Sequence, residues 1–296
     1  MKTIDKKSPI VIGGLGGSGT RVIAEICQHI GIFLGYNLTD ALDNLWYTAL
    51  FKRKNLFEVE KKEREIQIKK GLDILTNAMV RDQLNSDVLH RRLMEYAHNL
   101  KRDAYFSNEF EHYFQSVTNF IQNILKESKL DPRFFYGWGW KEPNSHILLK
   151  YLAGYYDNLR YIHVVRHGLD MAFSNNQTQA KFWGPMYGIF YSDQDIDPIA
   201  SFNYWVEANK KAVRVGNTLL KDRFLLLRLE DLCIFADSEI KRLINFLDFP
   251  VSGEKIEFVR KIPRLPKTVG RYKDHDTSWV ENNHIESLMS FGYTYC

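Results

Sequence analysis

A glycine-rich segment near the amino terminus constrains the fold more than any other part of the sequence. Pro9 to Ile12 is a short apolar run with β-branched side chains, which predicts a buried strand. Five glycines, a serine and a threonine follow from Gly13 to Thr20, and apolar side chains then recur at helical spacing from Arg21 to Ile30. This order of strand, loop and helix predicts an α/β protein with a phosphate site, because loop N–H groups and the helix N-terminus converge there.

The loop departs from the nucleotide-binding P-loop at one position. The spacing of Gly14, Gly19 and Thr20 nearly fits that motif, but the lysine that should precede the hydroxyl residue is missing. The loop therefore predicts phosphate binding without ordinary ATP or GTP chemistry. The alternative interpretation is a tight turn that packs a helix on a sheet.

Size and charge limit the possible classes of protein. The 296 residues, 45% of them apolar, can bury one large core, so we expect a single domain over residues 1–296. With 40 basic and 36 acidic side chains, the net charge of +4 fits an anionic ligand and gives no reason to expect a nucleic-acid partner.

The cysteines and the apolar segments point to a reducing compartment. Cys27, Cys233 and Cys296 lie far apart, which argues against a disulfide framework or a metal site. The amino terminus lacks the apolar region of a signal peptide, and no apolar stretch reaches the ~18 residues of a membrane span. We therefore expect a cytoplasmic protein without an integral membrane segment.

Strands that alternate with helices predict a central parallel sheet with helices on both faces, a P-loop-like three-layer αβα sandwich. Further strands are expected at Phe134 to Lys141, Tyr161 to Val165 and Phe224 to Leu229. A mostly helical insertion over about residues 51–128 is expected to shape the substrate cleft. Its basic runs, Lys52 to Lys54 and Lys61 with Lys62, are interpreted as solvated helix faces.

Two segments that connect the expected strands also have a recognisable composition. Thr39 to Leu50 predicts a helix with Thr39 or Asp40 as its N-cap. Lys181 to Asp197 is rich in aromatic residues and glycine without a clear period, and it predicts a loop or lid.

A second anion site is expected where the strand Tyr161 to Val165 ends. Arg166 follows that strand directly, and Ser174 lies eight residues later, in the helix expected there. An arginine at the carboxyl end of a parallel strand faces the crevice in which open α/β sheets bind ligands, and it can hold a phosphate with two hydrogen bonds. An ion pair with Asp170 is the alternative role. With the glycine loop, this site implies a nucleotide phosphorylated at two places.

These paired motifs resemble those of sulfotransferases that use 3′-phosphoadenosine 5′-phosphosulfate (PAPS). In that family a loop like GGSGTR holds the 5′-phosphosulfate, which here implies Gly16, Gly17, Ser18, Gly19, Thr20 and Arg21. A strand that ends in arginine, with a serine eight residues on, holds the 3′-phosphate and matches Arg166 and Ser174. The resemblance implies PAPS as cofactor, adenosine 3′,5′-bisphosphate as product and no metal.

Gly17 stands where many members of the family carry a lysine or arginine that stabilises the leaving oxygen. The Gly-Thr-Arg ending is similar to the glycosaminoglycan branch, so Arg21 is one substitute for that cation. Lys141, at the end of a strand expected beside the loop, is the other. The alternative for Lys141 is an ion pair with Glu142 or Asp170.

The acceptor hydroxyl needs a base, and Asp43 is the first candidate because Trp46 and Tyr47 would exclude water around it. Asp40 is the second candidate, although a capping role is favoured for it. The other side chains considered are His146 and His167 as alternatives, His29 as a core or surface residue, and Glu230 and Asp231 as helix caps.

The C-terminal stretch VGRYKDH, Val269 to His275, resembles the family's loop over the cofactor. Tyr272, or the pair Trp138 and Trp140, is the candidate platform for the adenine. Arg271 and Lys273 are expected to reach the 3′-phosphate or to close the lid.

The leading hypothesis is a PAPS-dependent O-sulfotransferase that acts on a hydroxyl acceptor by in-line displacement. The resemblance suggests a carbohydrate or glycolipid acceptor. An atypical P-loop kinase and a non-catalytic protein that binds adenosine bisphosphate are the alternatives. The sequence leaves the oligomeric state open.

Overall fold

A parallel sheet lies at the centre of the molecule. The computed structural model describes residues 5–80, 91, 135–192 and 196–295. Its strands are β1 (Ile10–Gly14), β2 (Ile32–Phe33), β3 (Gly137–Lys141), β4 (Arg160–Val165) and β5 (Phe224–Arg228). The order across the sheet is β2-β3-β1-β4-β5, and every pairing is parallel. The carboxyl ends of β3, β1 and β4 therefore lie side by side, where sheets of this kind bind ligands.

Helices connect the strands. Those of the described ranges are α1 (Thr20–Ile30), α2 (Leu45–Phe51), α3 (Asn55–Glu58), α4 (Lys61–Val80), α5 (Leu149–Tyr155), α6 (Gly168–Ala172), α7 (Thr178–Trp183), α8 (Pro198–Leu219), α9 (Leu229–Ile234), α10 (Ala236–Leu247), α11 (Gly253–Val259) and α12 (Asn282–Ser290). Single 3-10 segments cover Pro143–Leu148, Gly184–Tyr187, Lys221–Arg223 and Arg271–Asp274.

The two faces of the sheet bury different apolar clusters, because side chains alternate along each strand. On β1, Val11 packs with Trp140 and Tyr161 on one face, under α2, α4 and α5. Ile10 and Ile12 face the other way and pack against α1, α10 and α11. The predicted three-layer αβα sandwich with a central parallel sheet is confirmed.

The helix predicted from Thr39 to Leu50 begins later than expected, at Leu45. Asn44 is its N-cap, and the Asn44 Oδ1 atom accepts a hydrogen bond from the Tyr47 N–H at 2.9 Å. Leu42 has a φ of 64°, a left-handed conformation that interrupts a helix. Thr39 and Asp40 therefore lie in a turn, and the prediction that one of them caps the helix is wrong.

The aromatic segment from Lys181 to Asp197 is only partly a loop. It contains the end of α7 and a 3-10 turn over Gly184–Tyr187, and residues 193–195 lie outside the described ranges. Phe182 and Trp183 are buried in a third apolar cluster between α6 and α8, which stabilises helical structure there.

The helical insertion predicted over about residues 51–128 is described only in its first part, by α3 and α4. Apart from residue 91, residues 81–134 lie outside the described ranges. Among the described helices, none is long and apolar enough to cross a membrane.

Candidate functional site

The glycine loop joins β1 to α1 in the predicted way. Gly17 and Gly19 have φ angles of +90° and +94°, a left-handed backbone that favours glycine. A Cβ atom on Gly19 would also come within 2.6 Å of a methyl group of Leu229. The tight turn that brings the loop N–H groups to the helix N-terminus therefore depends on these glycines.

The hydroxyl residues of the loop point inward. Ser18 and Thr20 are 1% and 3% exposed. The Ser18 Oγ atom is buried without a hydrogen-bond partner among the described residues. Such an orphan group costs about 1–3 kcal/mol unless a ligand satisfies it, so the Ser18 hydroxyl fits an anion bound in the loop. Arg21 is exposed on the first turn of α1.

Lys141 and Asp43, both candidates for the chemistry, form an ion pair. The Lys141 Nζ atom lies 2.5 Å from the Asp43 Oδ1 atom and 2.9 Å from the Ala41 carbonyl oxygen. Lys141 pairs in register with Ile12, just before the glycine loop, so its side chain leaves the sheet beside that loop. The strand that ends in Lys141 lies beside the glycine loop, as expected. Lys141 forms its ion pair with Asp43, and not with Glu142 or Asp170, the partners of the alternative interpretation.

A tight turn from Thr39 to Asn44 presents the carboxylate of Asp43. The Asp43 N–H donates to the Thr39 Oγ1 atom at 3.0 Å, and the Thr39 N–H donates to the Asp43 carbonyl oxygen at 3.0 Å. The Asn44 N–H donates to the Lys141 carbonyl oxygen at 2.8 Å, which ties the turn to β3. Asp43 therefore approaches Lys141 from this turn and not from a helix.

Arg166, at the carboxyl end of β4, lies in a second cationic centre. Its Nη2 atom donates to the Thr268 carbonyl oxygen at 2.6 Å and to the Thr268 Oγ1 atom at 2.8 Å. The same atom lies 3.7 Å from the carboxylate of Asp170, so the ion pair given as the alternative role of Arg166 is present. The Arg166 Nε atom is buried and has no hydrogen-bond partner in the described part of the chain.

The C-terminal loop lies against this centre, as the resemblance implies. Asp170 is fully buried and accepts hydrogen bonds from the Gly270 N–H at 2.9 Å and the Tyr272 N–H at 3.4 Å. The Arg271 Nε atom donates to the Thr268 carbonyl oxygen at 3.2 Å. Arg166 and Arg271 donate to the same carbonyl oxygen, so two like charges are held close together. Burial and then the charge of Arg166 lower the pKa of Arg271. An anion would relieve this repulsion.

The candidate platforms for the adenine have different environments. Trp138 and Trp140 are fully buried, and their indole N–H groups donate to the Asp5 carbonyl oxygen and the Ser145 hydroxyl. Their prediction as a platform is wrong, because both belong to the core. Tyr272 is buried, and one face of its ring stacks on His167 with centroids 4.8 Å apart. Lys273 is exposed beside it.

Ser174 is not in a helix, contrary to the prediction. The helix α6 ends at Ala172, and the Gln177 Nε2 atom donates to the Ala172 carbonyl oxygen at 3.1 Å, which satisfies the helix terminus. Ser174 follows in an irregular stretch, half-buried, and its hydroxyl accepts the Asn176 N–H at 3.3 Å.

The histidine candidates for the base have structural partners. The His146 Nδ1 atom donates to the Pro143 carbonyl oxygen at 2.9 Å, and burial lowers the pKa of His146 to about 3. His167 caps α6 through its ring, whose Nδ1 atom accepts a hydrogen bond from the Leu169 N–H at 3.3 Å. His29 is exposed and packs against Phe258.

Glu230 and Asp231 lie in the first turn of α9. Glu230 accepts the His167 N–H at 2.9 Å and the Tyr293 hydroxyl at 2.9 Å, and Asp231 pairs with Arg228 at 2.5 Å. Both acids therefore have structural partners.

The basic run after α2 is buried, so its interpretation as a solvated face is wrong. Lys52 and Arg53 are 6% and 2% exposed. The Lys52 Nζ atom lies 3.8 Å from the carboxylate of Glu142, which is fully buried next to Lys141 in the sequence. Burial raises the pKa of Glu142 to about 7, and the charge of Lys52 opposes this rise.

A comparison with known proteins identifies the family. A family model described as the sulfotransferase family matches residues 9–253. The chain belongs to the sulfotransferase family. The matched range contains the glycine loop, Asp43, Lys141 and Arg166, and family membership supports sulfuryl transfer as the general activity. No curated protein matches the sequence significantly.

Solved structures similar to this sulfotransferase include two bacterial examples. The sulfotransferase domain of the Synechococcus PCC 7002 olefin synthase has 14% identity and a TM-score of 0.48, covering 100% of this chain and 98% of its own. The sulfotransferase STF9 of Mycobacterium avium has 14% identity and a TM-score of 0.45, covering 97% of this chain and 76% of its own. The family assignment rests on the family match. The described residues of this sulfotransferase contain no group of three or more His, Cys, Asp or Glu side chains that could hold a metal ion.

Proposed function

We propose that this sulfotransferase transfers the sulfuryl group of PAPS to a hydroxyl acceptor. The observation that carries the proposal is a pair of buried, unpartnered hydrogen-bond donors after adjacent strands. The Ser18 hydroxyl follows β1 and the Arg166 Nε atom follows β4, and neither has a partner among the described residues. Two separate anion sites on one sheet edge fit a nucleotide with both a 5′-phosphosulfate and a 3′-phosphate.

The residues of each site fit one end of the cofactor. The N–H groups and hydroxyls of Gly17 to Thr20 would hold the phosphosulfate at the N-terminus of α1. Arg166, Arg271 and Ser174 would hold the 3′-phosphate, which satisfies the orphan donor and offsets the repulsion between the two guanidinium charges. Tyr272 and Lys273 would complete the site from the C-terminal loop. Arg21, exposed on α1, remains a further candidate for the phosphosulfate.

The Lys141–Asp43 pair supplies the groups that the chemistry needs. When bound, PAPS supplies an activated sulfuryl group. Lys141 has three N–H groups, of which two contact Asp43 and Ala41, so a third can stabilise the negative charge that develops on the leaving oxygen. The Asp43 side chain is 24% exposed, so an acceptor hydroxyl can reach its carboxylate.

The bonds and protons balance without a further reactant. A bond forms between the acceptor oxygen and sulfur, and the bond from sulfur to the phosphate oxygen breaks. The hydroxyl proton passes to Asp43, and adenosine 3′,5′-bisphosphate leaves. Catalysis of this kind is mainly positioning and electrostatic stabilisation.

More specifically, we propose that the acceptor is a carbohydrate or a glycolipid and that the reaction takes place in the cytoplasm. It rests on the resemblance of the Gly-Thr-Arg ending to the glycosaminoglycan branch, and on an exposed aromatic side chain in the segment after α7. Phe190 there is 75% exposed and could stack on a sugar ring.

A transfer assay tests the proposal. Sulfur-labelled PAPS is incubated with the full chain and a panel of hydroxyl acceptors, namely a phenol, a hexose and a glycolipid, with and without magnesium. The proposal expects label in at least one acceptor independently of magnesium. Transfer of phosphate from ATP with magnesium would indicate a kinase instead. Tight binding of the bisphosphate without any transfer would indicate a sensor.

A further inference from the structure

A chain of side-chain hydrogen bonds connects the glycine loop to Glu142, the acid that follows Lys141. The Gly16 N–H donates to the Gln179 Oε1 atom at 2.6 Å, and the Gln179 Nε2 atom donates to the Asn144 Oδ1 atom at 2.9 Å. Asn144 then donates to both oxygens of Glu142, from its backbone N–H and its Nδ2 atom, each at 2.7 Å. We call Gln179, Asn144 and Glu142 the relay.

The ends of the relay determine the orientation of both amides. A backbone N–H can only donate, so Gln179 must turn its oxygen to Gly16 and its NH2 group to Asn144. The Trp183 Nε1 atom also donates to the Asn144 Oδ1 atom, at 2.7 Å, so this oxygen receives two hydrogen bonds. The Asn144 NH2 group therefore faces Glu142, whose two oxygens accept from Asn144. Every group has a complementary partner.

The relay is shielded from water. Gln179, Asn144 and Glu142 are 8%, 4% and 0% exposed. At this depth a mismatched donor or acceptor is costly, because water cannot replace the missing partner. The Lys52 Nζ atom lies 3.8 Å from the Glu142 Oε1 atom, so its positive charge opposes the negative charge of Glu142.

The contact with Gly16 restrains a loop that is rich in glycine. Gly16, Gly17 and Gly19 lack side chains, and glycine backbones lose the most entropy when they are ordered. The residues that follow Gly16 are those proposed to hold the phosphosulfate. A loop that is ordered before the ligand arrives binds it with a smaller entropic cost.

We propose that Gln179 is a positioning residue, which fixes the glycine loop through the Gly16 N–H and couples it, through the relay, to the end of β3 that carries Lys141. Gly16 thereby holds the loop in shape, and its N–H group is not a ligand of the cofactor. This inference rests on the proposed function, because the ligand of the loop is taken to be the 5′-phosphate side of the cofactor.

The first test compares Gln179→Ala and Gln179→Glu with the wild type. Adenosine 3′,5′-bisphosphate is titrated into each full-length protein by calorimetry, and thermal unfolding is recorded. We expect Gln179→Ala to bind about tenfold more weakly, since a buried hydrogen bond that orders the loop is lost. Asn209→Ala is the matched control: Asn209 is a buried amide that bonds His163 and the Trp205 carbonyl oxygen, outside the loop. It should lower the unfolding temperature and leave the affinity unchanged.

Gln179→Glu gives a readout that a merely structural role would not give. When ionised, the carboxylate that this substitution introduces has no N–H or O–H for Asn144, whereas the protonated acid has one donor and one acceptor, like glutamine. The affinity of the Gln179→Glu variant, as a ratio to wild type at the same pH, should therefore be low at about pH 8 and recover towards about pH 5.

The second test reverses the polarity of one link. Asn144→Asp places a carboxylate against Glu142 and should weaken bisphosphate binding more than Gln179→Ala does. Adding Glu142→Gln restores a donor opposite the new carboxylate and keeps an acceptor for the backbone N–H of residue 144. The double variant should therefore recover most of the lost affinity, and a double variant that binds no better than Asn144→Asp would contradict the coupling through the relay.

The outcomes separate this inference from the proposed function. If wild type does not bind the bisphosphate, the proposed function fails. If wild type binds and the folded Gln179 variants bind equally well at every pH, the inference fails alone. Tighter binding by Gln179→Ala would also overturn it, since it would mean that Gln179 competes with the ligand for the Gly16 N–H.

Discussion

The two cationic centres at the edge of the sheet, around Lys141 and around Arg166, differ in how closely the carboxylate is paired and how exposed it is. Lys141 and Arg166 lie at the carboxyl ends of β3 and β4, the two strands that flank β1, and each has an aspartate partner. In the Lys141 centre the ion pair is short, 2.5 Å, and the Asp43 side chain is 24% exposed. In the Arg166 centre the distance is 3.7 Å, and Asp170 is fully buried.

The difference separates a centre suited to reaction from one suited to binding. Asp170 directs its oxygens to the Gly270 and Tyr272 N–H groups, and Arg166 keeps an unpartnered Nε atom among the described residues and has a second arginine nearby. This centre has an excess of donors and positive charge, which suits a bound phosphate. Asp43 is accessible and paired with a single ammonium group, which suits proton transfer next to developing charge.

The largest effect is expected for Asp43→Asn. Removing the base should lower kcat for sulfuryl transfer by roughly 10²–10⁴-fold, measured in single-turnover assays at saturating PAPS. Asp40→Asn is the competing variant, because Asp40 is exposed in the same turn. A greater loss at residue 40 than at residue 43 would assign the base to Asp40.

Lys141→Ala should reduce kcat by about 10²–10³-fold, because it removes a charge that acts on the leaving oxygen. Lys141→Arg keeps the charge with a different geometry, so its rate should lie between those of wild type and Lys141→Ala. Single-turnover kinetics at saturating PAPS measure the effect. An unchanged rate in Lys141→Ala would exclude Lys141 from the reaction and leave Arg21 as the candidate cation.

The site residues that could be predicted from the sequence are those marked by a short local motif or by their place at the end of a strand. The glycine loop, Arg166 at a strand end and Lys141 beside the loop follow from runs of a few residues and from strand order. The roles of Gln179, Thr39 and Asn44 could not be predicted in this way. The partner of Gln179 depends on a tertiary contact, and Thr39 and Asn44 belong to a turn that has no recognisable sequence periodicity.

Three predictions are wrong for the same reason: the contacts that decide them join residues far apart in the sequence or lie in irregular segments. The interpretation of Lys52 and Arg53 as a solvated face fails because a local run of charges does not reveal a distant partner. Lys52 lies opposite Glu142, which is about 90 positions away in the sequence. The helix expected to contain Ser174 ends early, where the side chain of Gln177 satisfies the carbonyl group of its last residue, Ala172. Trp138 and Trp140 can be assigned to the core only when both faces of the sheet are known.

Arg166→Ala should weaken bisphosphate binding by about 100-fold, since truncating one member of a buried charge pair costs roughly 2–5 kcal/mol. The matched control is Arg160→Ala, at the other end of β4. Arg160 pairs with Asp248 at 3.6 Å, a distance similar to that of the Arg166 pair. Calorimetry should show no change in affinity for the control. Equal losses in both variants would mean that the effect comes from the strand and not from the site.

The smallest effect is a pH dependence of stability near Lys141. The pKa of Glu142 is about 7 in the folded protein against 4.5 as the ordinary value, so the folded state binds more protons in that interval. Its contribution to the free energy of unfolding is therefore greatest below pH 4.5 and falls as the pH rises from there to about 7. The charges that face Glu142 are Lys52, Asp43 and Lys141.

Denaturant unfolding of wild type and Glu142→Gln between about pH 4 and pH 8 measures this dependence. The decline should be present in wild type and smaller in Glu142→Gln. A steeper decline in the variant would contradict the assignment.

We assign reaction to the Lys141 centre and phosphate binding to the Arg166 centre. The most direct test of this division measures binding and transfer rate on the same set of proteins. Adenosine 3′,5′-bisphosphate is titrated into wild type, Lys141→Ala and Arg166→Ala, and single-turnover transfer from saturating PAPS is then measured on the same preparations. We expect Lys141→Ala to bind within about threefold of wild type and to lose its rate, and Arg166→Ala to lose affinity and keep most of its rate once saturated. If Lys141→Ala loses affinity as much as Arg166→Ala does, the two centres are a single binding site and the division is wrong.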